Sequence, residues 1–269
     1  SNYNILNVGK IENKGIEVNL NIVPVKTEST TWDVNFNFSK FKPIVTSFSD
    51  NVDDGYMIPT GGISGGTGNN IQAFAKDQVL SSFYVYQQAS DTNGKAIDGV
   101  YVDRNNDGII NSSDKYFFHS PNPDAIFGFS TKVTTGKWEF STALRAVIGN
   151  YVYNNAAANS SLADVTSSSY NYLRNQEKSV LTNQFSGFEY FSDLFIEDAS
   201  FLRMDNLSVG YNFGDFLGNK KSNLRVTAMA QNVFVITKYT GVDPEVFGNI
   251  DNGFYQRPKV YSLGFNFQF

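Results

Sequence analysis

Hydrophobic and polar residues alternate along much of the chain, and this period of two limits the possible folds more than any other feature. The pattern is clear in residues 16–22 (IEVNLNI), 32–38 (WDVNFNF), 207–213 (LSVGYNF) and 261–269 (YSLGFNFQF). Successive side chains of a β-strand point to opposite faces, so each run predicts a strand with one apolar and one polar face. The sequence therefore predicts an all-β, antiparallel protein.

About eight such strands are predicted, at roughly residues 14–25, 31–48, 80–88, 124–135, 137–153, 198–213, 222–236 and 258–269. Some connections are short turns, as at 135–136. Others are long, at 49–79, 89–123, 154–197 and 237–257. Short turns that alternate with long loops are typical of outer-membrane β-barrels. A short helix is possible within the long connection, in residues 161–184.

Alternation alone does not separate a membrane barrel from a soluble β-sandwich, since both have one apolar face. The composition favours the barrel, because charged residues make up only 17% of the chain against roughly 25% in soluble domains. Several strands reach the ~9–11 residues of a tilted span. Aromatic residues also lie at strand ends, as in an interfacial girdle: Trp32, Phe38, Phe41, Trp138, Tyr151, Tyr153, Tyr211, Phe213, Tyr261 and Phe269.

Several functional classes are excluded by residue counts. The chain has no cysteine and one histidine, which rules out thiolate metal sites, multi-histidine zinc sites and a cysteine nucleophile. The net charge of -5 gives no basic surface for nucleic acid. The histidine, His119, is predicted to be a surface loop residue rather than a general base. The chain is predicted not to be an enzyme.

Residues 103–114 (DRNNDGIINSSD) match a twelve-residue calcium loop. Such a loop takes oxygen ligands from positions 1, 3, 5 and 12, a backbone carbonyl at position 7, and glycine at position 6. The predicted ligands are Asp103, Asn105, Asp107, the carbonyl of Ile109, and Asp114. An Asp/Asn-rich turn held by its own side-chain hydrogen bonds is the alternative.

Four stretches resemble a known family. They are residues 7–17 (NVGKIENKGIE), residues 99–129 with their Asp/Asn-rich loop and PDAIFGF strand, residues 195–211 (FIEDASFLRMDNLSVGY), and residues 230–246 (AQNVFVITKYTGVDPEV) followed by 257–264 (RPKVYSLG). Together these resemble the SusC/RagA-type TonB-dependent outer-membrane transporters of the Bacteroidetes, and the resemblance runs through nearly the whole chain.

The resemblance implies a nutrient importer of the bacterial outer membrane. Family members carry an N-terminal plug inside a roughly 22-stranded barrel and take energy from TonB through that plug. A SusD-like surface lipoprotein caps the barrel from outside. Nothing in residues 1–269 resembles a plug, so we expect this chain to be the C-terminal portion of such a barrel, with about eight strands and long extracellular loops. Its partners would be the remaining barrel and plug, the lid, outer-membrane lipid, and an oligosaccharide or oligopeptide cargo.

Two alternatives stay open. The chain could be a self-contained eight-stranded outer-membrane anchor or adhesin, which requires strands that close on themselves around interlocking side chains. It could also be a secreted, calcium-stabilised β-sandwich binding module, which would fold without detergent.

A few side chains are predicted to have particular positions. Arg145 is expected in the lumen, in contact with the plug or, as the less favoured alternative, with a solute. Arg203 and Asp205 share the register of Leu207. They are expected on the apolar face, at the end of their strand that lies near the membrane–water interface. Phe269 is expected to complete a C-terminal assembly signal. Loop aromatic residues are expected to contact cargo or lid, or to pack within the loops: Phe83, Tyr84, Tyr86, Tyr170, Tyr172, Phe188, Tyr190 and Phe191.

Overall fold

The computed structural model describes residues 8–49, 52–53, 55–63, 68–163, 175–214 and 222–268, and the structural statements below concern these residues. The described chain forms a long antiparallel sheet, which we call the wall, and a group of small sheets and short helices, which we call the loop body. Phe269, Tyr170 and Tyr172, singled out above, lie outside the described residues.

Seven strands form the wall, and all strands of the chain are numbered in chain order. The wall strands are β1 Gly9–Lys26, β2 Thr30–Phe48, β9 Ala125–Thr135, β10 Trp138–Ile148, β13 Phe201–Gly214, β14 Asn223–Thr237 and β15 Val260–Gln268. They lie in this same order in the sheet, each antiparallel to its neighbours. The wall is a meander with two open edges, because β1 and β15 each pair on one side only within the described part of the chain.

The alternation seen in the sequence crosses the wall strand by strand, because directly paired residues share a face. One row of partners is apolar throughout: Trp32, Val133, Phe140, Val209, Ala228 and Leu263. A row on the other face, three residues away along the strands, is mostly polar: Asn35, Ser130, Ala143, Asn206 and Gln231. The apolar face is uncovered, and Phe265 on it is 69% exposed.

The short turns and the long connections lie at opposite ends of the wall. Residues 27–29 join β1 to β2, and residues 136–137 join β9 to β10. Gly136 takes a φ of 55° in its turn, a conformation in which glycine has no Cβ to clash. Trp138, Tyr211 and Phe213 contact one another at this end, with ring centroids 4.7 Å apart in each successive pair. This cluster agrees with the predicted aromatic girdle.

The loop body is built from the long connections. Its strands are β3 Met57–Gly62, β4 Asn70–Ala75, β5 Ser82–Val85, β6 Gln88–Ser90, β7 Ala96–Tyr101, β8 Tyr116–Phe118, β11 Tyr151–Tyr153 and β12 Ile196–Asp198. Its helices are α1 Asn155–Asn159, α2 Val180–Asn183 and 3₁₀ turns at Ser112–Asp114, Asp193–Phe195 and Phe247–Asn249. Its hydrophobic core includes Ile71, Phe83, Val85, Tyr153 and Phe185, all fully buried.

One strand prediction was wrong, and another was too long. Residues 80–88 do not enter the wall. Instead Phe83 and Val85 pair with β8 inside the loop body, and β5 has only four residues, far fewer than a span needs. The strand predicted at 137–153 ends at Ile148, because Gly149 turns the chain at a φ of 77°. Tyr151 and Tyr153 therefore belong to the loop body, not to a girdle, and Tyr153 is a residue of its core.

The helix expected within residues 161–184 is found in part. α2 Val180–Asn183 is a single turn, and residues 164–174 lie outside the described residues. No helix in the described ranges is long and apolar enough to cross a membrane.

Candidate functional site

A first charged group lies on the polar face of the wall, near the short turns. Glu139 on β10 accepts from Arg225 on β14 and from Lys132 on β9, the latter at 3.1 Å between Nζ and Oε2. Arg225 must cross β13 to reach Glu139. It passes Gly210, where a Cβ would lie 3.5 Å from the Arg225 Nε. A Cβ at this distance is in ordinary van der Waals contact, so the Arg225 side chain runs past Gly210 at contact distance.

A second charged group, which we call the ion cluster, lies at the loop end of the same face. Its six members are Arg145, Arg203, Asp205, Asp243, Glu245 and Arg257. Three of them belong to wall strands and three to the connection between β14 and β15. Three guanidinium groups therefore face three carboxylates, and their formal charges cancel.

A β-bulge at Asp205 places Arg203 in this cluster. Ala143 pairs with Asn206, and Arg145 pairs with Arg203, so β13 advances three residues while β10 advances two. The extra residue reverses the alternation, which is how bulges redirect side chains. The prediction that Arg203 and Asp205 share the apolar register of Leu207 was therefore wrong, because a pattern of period two cannot show the added residue.

Most members of the ion cluster contact two or more residues of opposite charge at short distances. Arg145 donates to Asp205 through Nε at 2.9 Å and Nη2 at 3.1 Å, and to Glu245 through Nη1 at 2.5 Å. Arg203 is 2% exposed and donates to Asp243 Oδ1 at 2.6 Å. Charge-assisted contacts of this kind are shorter and stronger than neutral hydrogen bonds.

The expected face of Arg145 is confirmed, since it lies on the polar face, opposite to the face of Trp138 and Phe140, and its position in a lumen stays a prediction. Its guanidinium is engaged by Asp205 and Glu245, and a contact with a plug stays a prediction. Sequence reasoning missed Asp243, Glu245 and Arg257. The signal was present, because all three lie in or next to the stretches that carry the family resemblance, but such residues in a loop do not reveal their partners.

The predicted calcium loop is folded by its own hydrogen bonds. Asp103 accepts from the backbone N–H groups of Asn106 at 2.7 Å and Gly108 at 2.8 Å, and Asp107 accepts from Ile109 at 2.8 Å. Asp114 is fully buried and accepts from the backbone of Asn111 at 2.8 Å and of Arg104 at 2.9 Å.

The buried carboxyl of Asp114 is held in its charged form. The hydrogen bond from the backbone N–H of Asn111 lowers the pKa of Asp114 most, and the one from Arg104 lowers it further. Burial acts in the opposite direction but is outweighed, so the pKa of Asp114 lies below its usual range. In the described residues, no three His, Cys, Asp or Glu side chains come together so that they could hold a metal ion. Calcium binding by Asp103, Asn105, Asp107, Ile109 and Asp114 stays a prediction.

The loop aromatic residues pack mainly on one another. Phe83 is in the core, Tyr84 lies against Phe117 with ring centroids 5.0 Å apart, and Phe188 stacks on Tyr190 at 4.9 Å. The ammonium group of Lys115 lies 4.0 Å above the ring of Phe191 and 5.0 Å from that of Tyr86. Burial lowers the pKa of Lys115. These contacts agree with packing inside the loop body, and contact with cargo stays a prediction.

A buried polar group in the loop body was also missed. Glu189 is buried and accepts from the hydroxyl of Tyr101 and from the Gly99 N–H at 2.7 Å. Burial and the neighbouring Glu189 carboxylate raise the pKa of Tyr101 above its usual value, so the hydroxyl stays protonated and donates. His119 is exposed as predicted, and its ring stacks on Tyr151 at 3.7 Å.

The sequence of the chain is similar to those of TonB-dependent receptors. No family model matches it. The TonB-dependent receptor SusC of Bacteroides thetaiotaomicron is 38% identical over an alignment of 271 positions, which covers 98% of this chain and 27% of that protein. The TonB-dependent receptor P3 of Formosa agariphila is 25% identical, over 98% of this chain and 29% of the receptor.

Solved structures show the same fold. The RagAB peptide transporter superimposes with a TM-score of 0.78 at 20% identity, over 98% of this chain and 30% of the transporter chain. The RagAB peptide importer in its closed-closed state also gives 0.78, at 21% identity. The chain thus spans less than a third of the proteins it matches. The SusC/RagA-type resemblance and the all-β barrel fold class are both confirmed.

Proposed function

We propose, on the premise that the chain corresponds to part of the barrel of a SusC/RagA-type TonB-dependent receptor, that it forms wall and outer loops of an outer-membrane nutrient importer. The observation that carries this proposal is the two-faced wall, whose apolar residues line one face of seven consecutive strands. Within lipid every backbone group needs an internal partner, so such a wall must be part of a closed barrel.

The two faces have the chemistry that this role requires. Exposed aromatic and aliphatic side chains, such as Phe140, Leu263 and Phe265, suit contact with hydrocarbon. The polar face carries Asn35, Asn206 and the charged groups, which suit a hydrated lumen. In our proposal, residues 1–269 are the C-terminal portion of the barrel, located in the bacterial outer membrane.

The partners follow from the same premise. The remaining strands would pair with the open edges β1 and β15, and a plug would occupy the lumen and connect to TonB. A SusD-like lipoprotein would cover the loop body from outside. The cargo would be an oligosaccharide or an oligopeptide. SusC is a TonB-dependent receptor and RagAB is a peptide transporter, which supports a role in transport in which no bond is made or broken.

The described wall argues against the alternatives. A self-contained small barrel requires its first and last strands to pair, whereas β1 and β15 do not pair with each other in the described ranges. A β-sandwich requires a second sheet against the apolar face, and the large apolar side chains of that face remain exposed.

Uptake by the intact receptor tests the function. The receptor that contains this chain would be produced with and without its lipoprotein lid, and uptake of labelled oligosaccharides and oligopeptides would be followed in cells with and without TonB. We expect uptake of one cargo class, dependent on TonB. A receptor that is soluble without detergent, or uptake that is equal without TonB, would contradict the proposal.

A further inference from the structure

The connection between β14 and β15 contributes half of the ion cluster, and it also carries the most exposed aromatic side chains of the described chain. Phe247 is 95% exposed and Tyr255 is fully exposed. Both lie between Asp243 and Arg257, so the cluster holds the segment at points before and after them. A segment with such side chains needs a firm attachment to keep one position.

Glu245 is the centre of that attachment. Its carboxylate lies 2.5 Å from Arg145 Nη1, 3.0 Å from Arg203 Nε and 2.9 Å from Arg257 Nη1. The first two arginines belong to β10 and β13, while the third returns from the far end of the same connection. One carboxylate thus joins two wall strands to both ends of residues 242–257.

A second attachment acts beside it. Asn232, in the bulged part of β14 at a φ of 51°, donates from Nδ2 to the carbonyl of Arg257 at 2.7 Å. Its Oδ1 accepts from Arg203 Nη1 at 2.7 Å. The buried Arg203 therefore contacts Asp243 and Asn232 together, so the wall bulges and the connection fit each other as one unit.

We propose that the ion cluster is a positioning device, which fixes residues 242–247 and 253–257 against the polar face and so determines where Phe247 and Tyr255 stand. Residues 248–251 are held separately by the loop body, where Asn249 donates to the carbonyls of Pro121 and Tyr151 at 3.2 Å each. Glu245 and Arg203 are positioning residues in this device. Burial of a charged group is costly without partners, so loss of Glu245 removes one carboxylate from each of three arginines and loosens the ends of the segment.

Hydrogen–deuterium exchange of the intact receptor in detergent tests this proposal. Glu245→Gln keeps the shape of the side chain and removes its charge. Glu139→Gln is the matched control, because Glu139 also pairs with basic residues of two other wall strands on the same face. We expect amide exchange in residues 242–247 and 253–257 to rise about tenfold or more in E245Q and to stay unchanged in E139Q.

The proposal is overturned if exchange in residues 242–247 and 253–257 stays at the native rate in E245Q, or if E139Q raises it equally. Should E245Q fail to assemble, Arg257→Gln takes its place, because Arg257 is half exposed and its removal disturbs the wall less. The proposal then requires faster exchange in residues 242–247 and 253–257 for R257Q, and a native rate there overturns it. Exchange is read without any cargo, so this result is independent of the transport proposal.

Discussion

Leu207→Arg is the substitution for which the two-faced wall makes the sharpest prediction. Leu207 lies halfway along β13 Phe201–Gly214, between its partners Thr142 and Ala230 on the apolar face, and is 41% exposed. An arginine that faces lipid near the middle of the bilayer costs about 2–4 kcal/mol. At 1.4 kcal/mol for each factor of ten, the folded population falls about 30-fold to 700-fold relative to the unfolded one.

The control is the next residue along the strand. Ser208 pairs with Ser141 on the polar face, so an arginine there stays in water and costs well under 1 kcal/mol by the same reasoning. The assay is refolding of the intact receptor into lipid vesicles at a fixed urea concentration, with the folded fraction read from gel mobility without boiling. If S208R lowers the folded fraction as much as L207R does, the assignment of the two faces is wrong.

Three further predictions concern the calcium loop, the last residue and a close contact in the wall. Calorimetric titration with calcium should give heat that disappears in a variant carrying both Asp103→Ala and Asp107→Ala; equal heats in the two proteins remove the site. Deletion of Phe269 should reduce assembly in the outer membrane. If the truncated receptor shows the same heat-dependent shift in gel mobility as the native receptor, the predicted assembly signal is refuted. Gly128→Ala should destabilise the wall by about 1–3 kcal/mol, since a Cβ there would lie 2.4 Å from Asn37 Nδ2; an unchanged urea midpoint would show that Asn37 moves aside freely.

Strand positions could be predicted from the sequence because alternation reflects the faces of a sheet directly. Seven of the eight predicted strands are found in the wall at nearly the predicted residues. Residues 80–88 misled this reasoning, because their apolar side chains fill the core of the loop body. A short apolar run has the same pattern in both settings, and only its four-residue length in the structure separates them.

The ion cluster could be predicted only in part. The register of Arg145 follows from unbroken alternation along β10, so its face was predictable. Arg203 was misplaced by the single added residue at Asp205, which no period reveals. Asp243 lies 40 residues from Arg203, and the contact depends on how a long connection returns to the wall. Such long-range pairing arises from the tertiary fold and leaves no local pattern.

The central claim is that alternate residues of the wall face lipid and water, and spin-label accessibility along β15 tests it most directly. Residues 1–269 contain no cysteine, so single cysteines can be placed and labelled at residues 261–266 of the intact receptor in membranes, once any cysteine elsewhere in the receptor is replaced by serine. The account predicts frequent collision with oxygen, which dissolves in lipid, at Tyr261, Leu263 and Phe265. It predicts frequent collision with a water-soluble nickel complex at Ser262, Gly264 and Asn266. Equal accessibility at all six positions, or the reverse alternation, would contradict it.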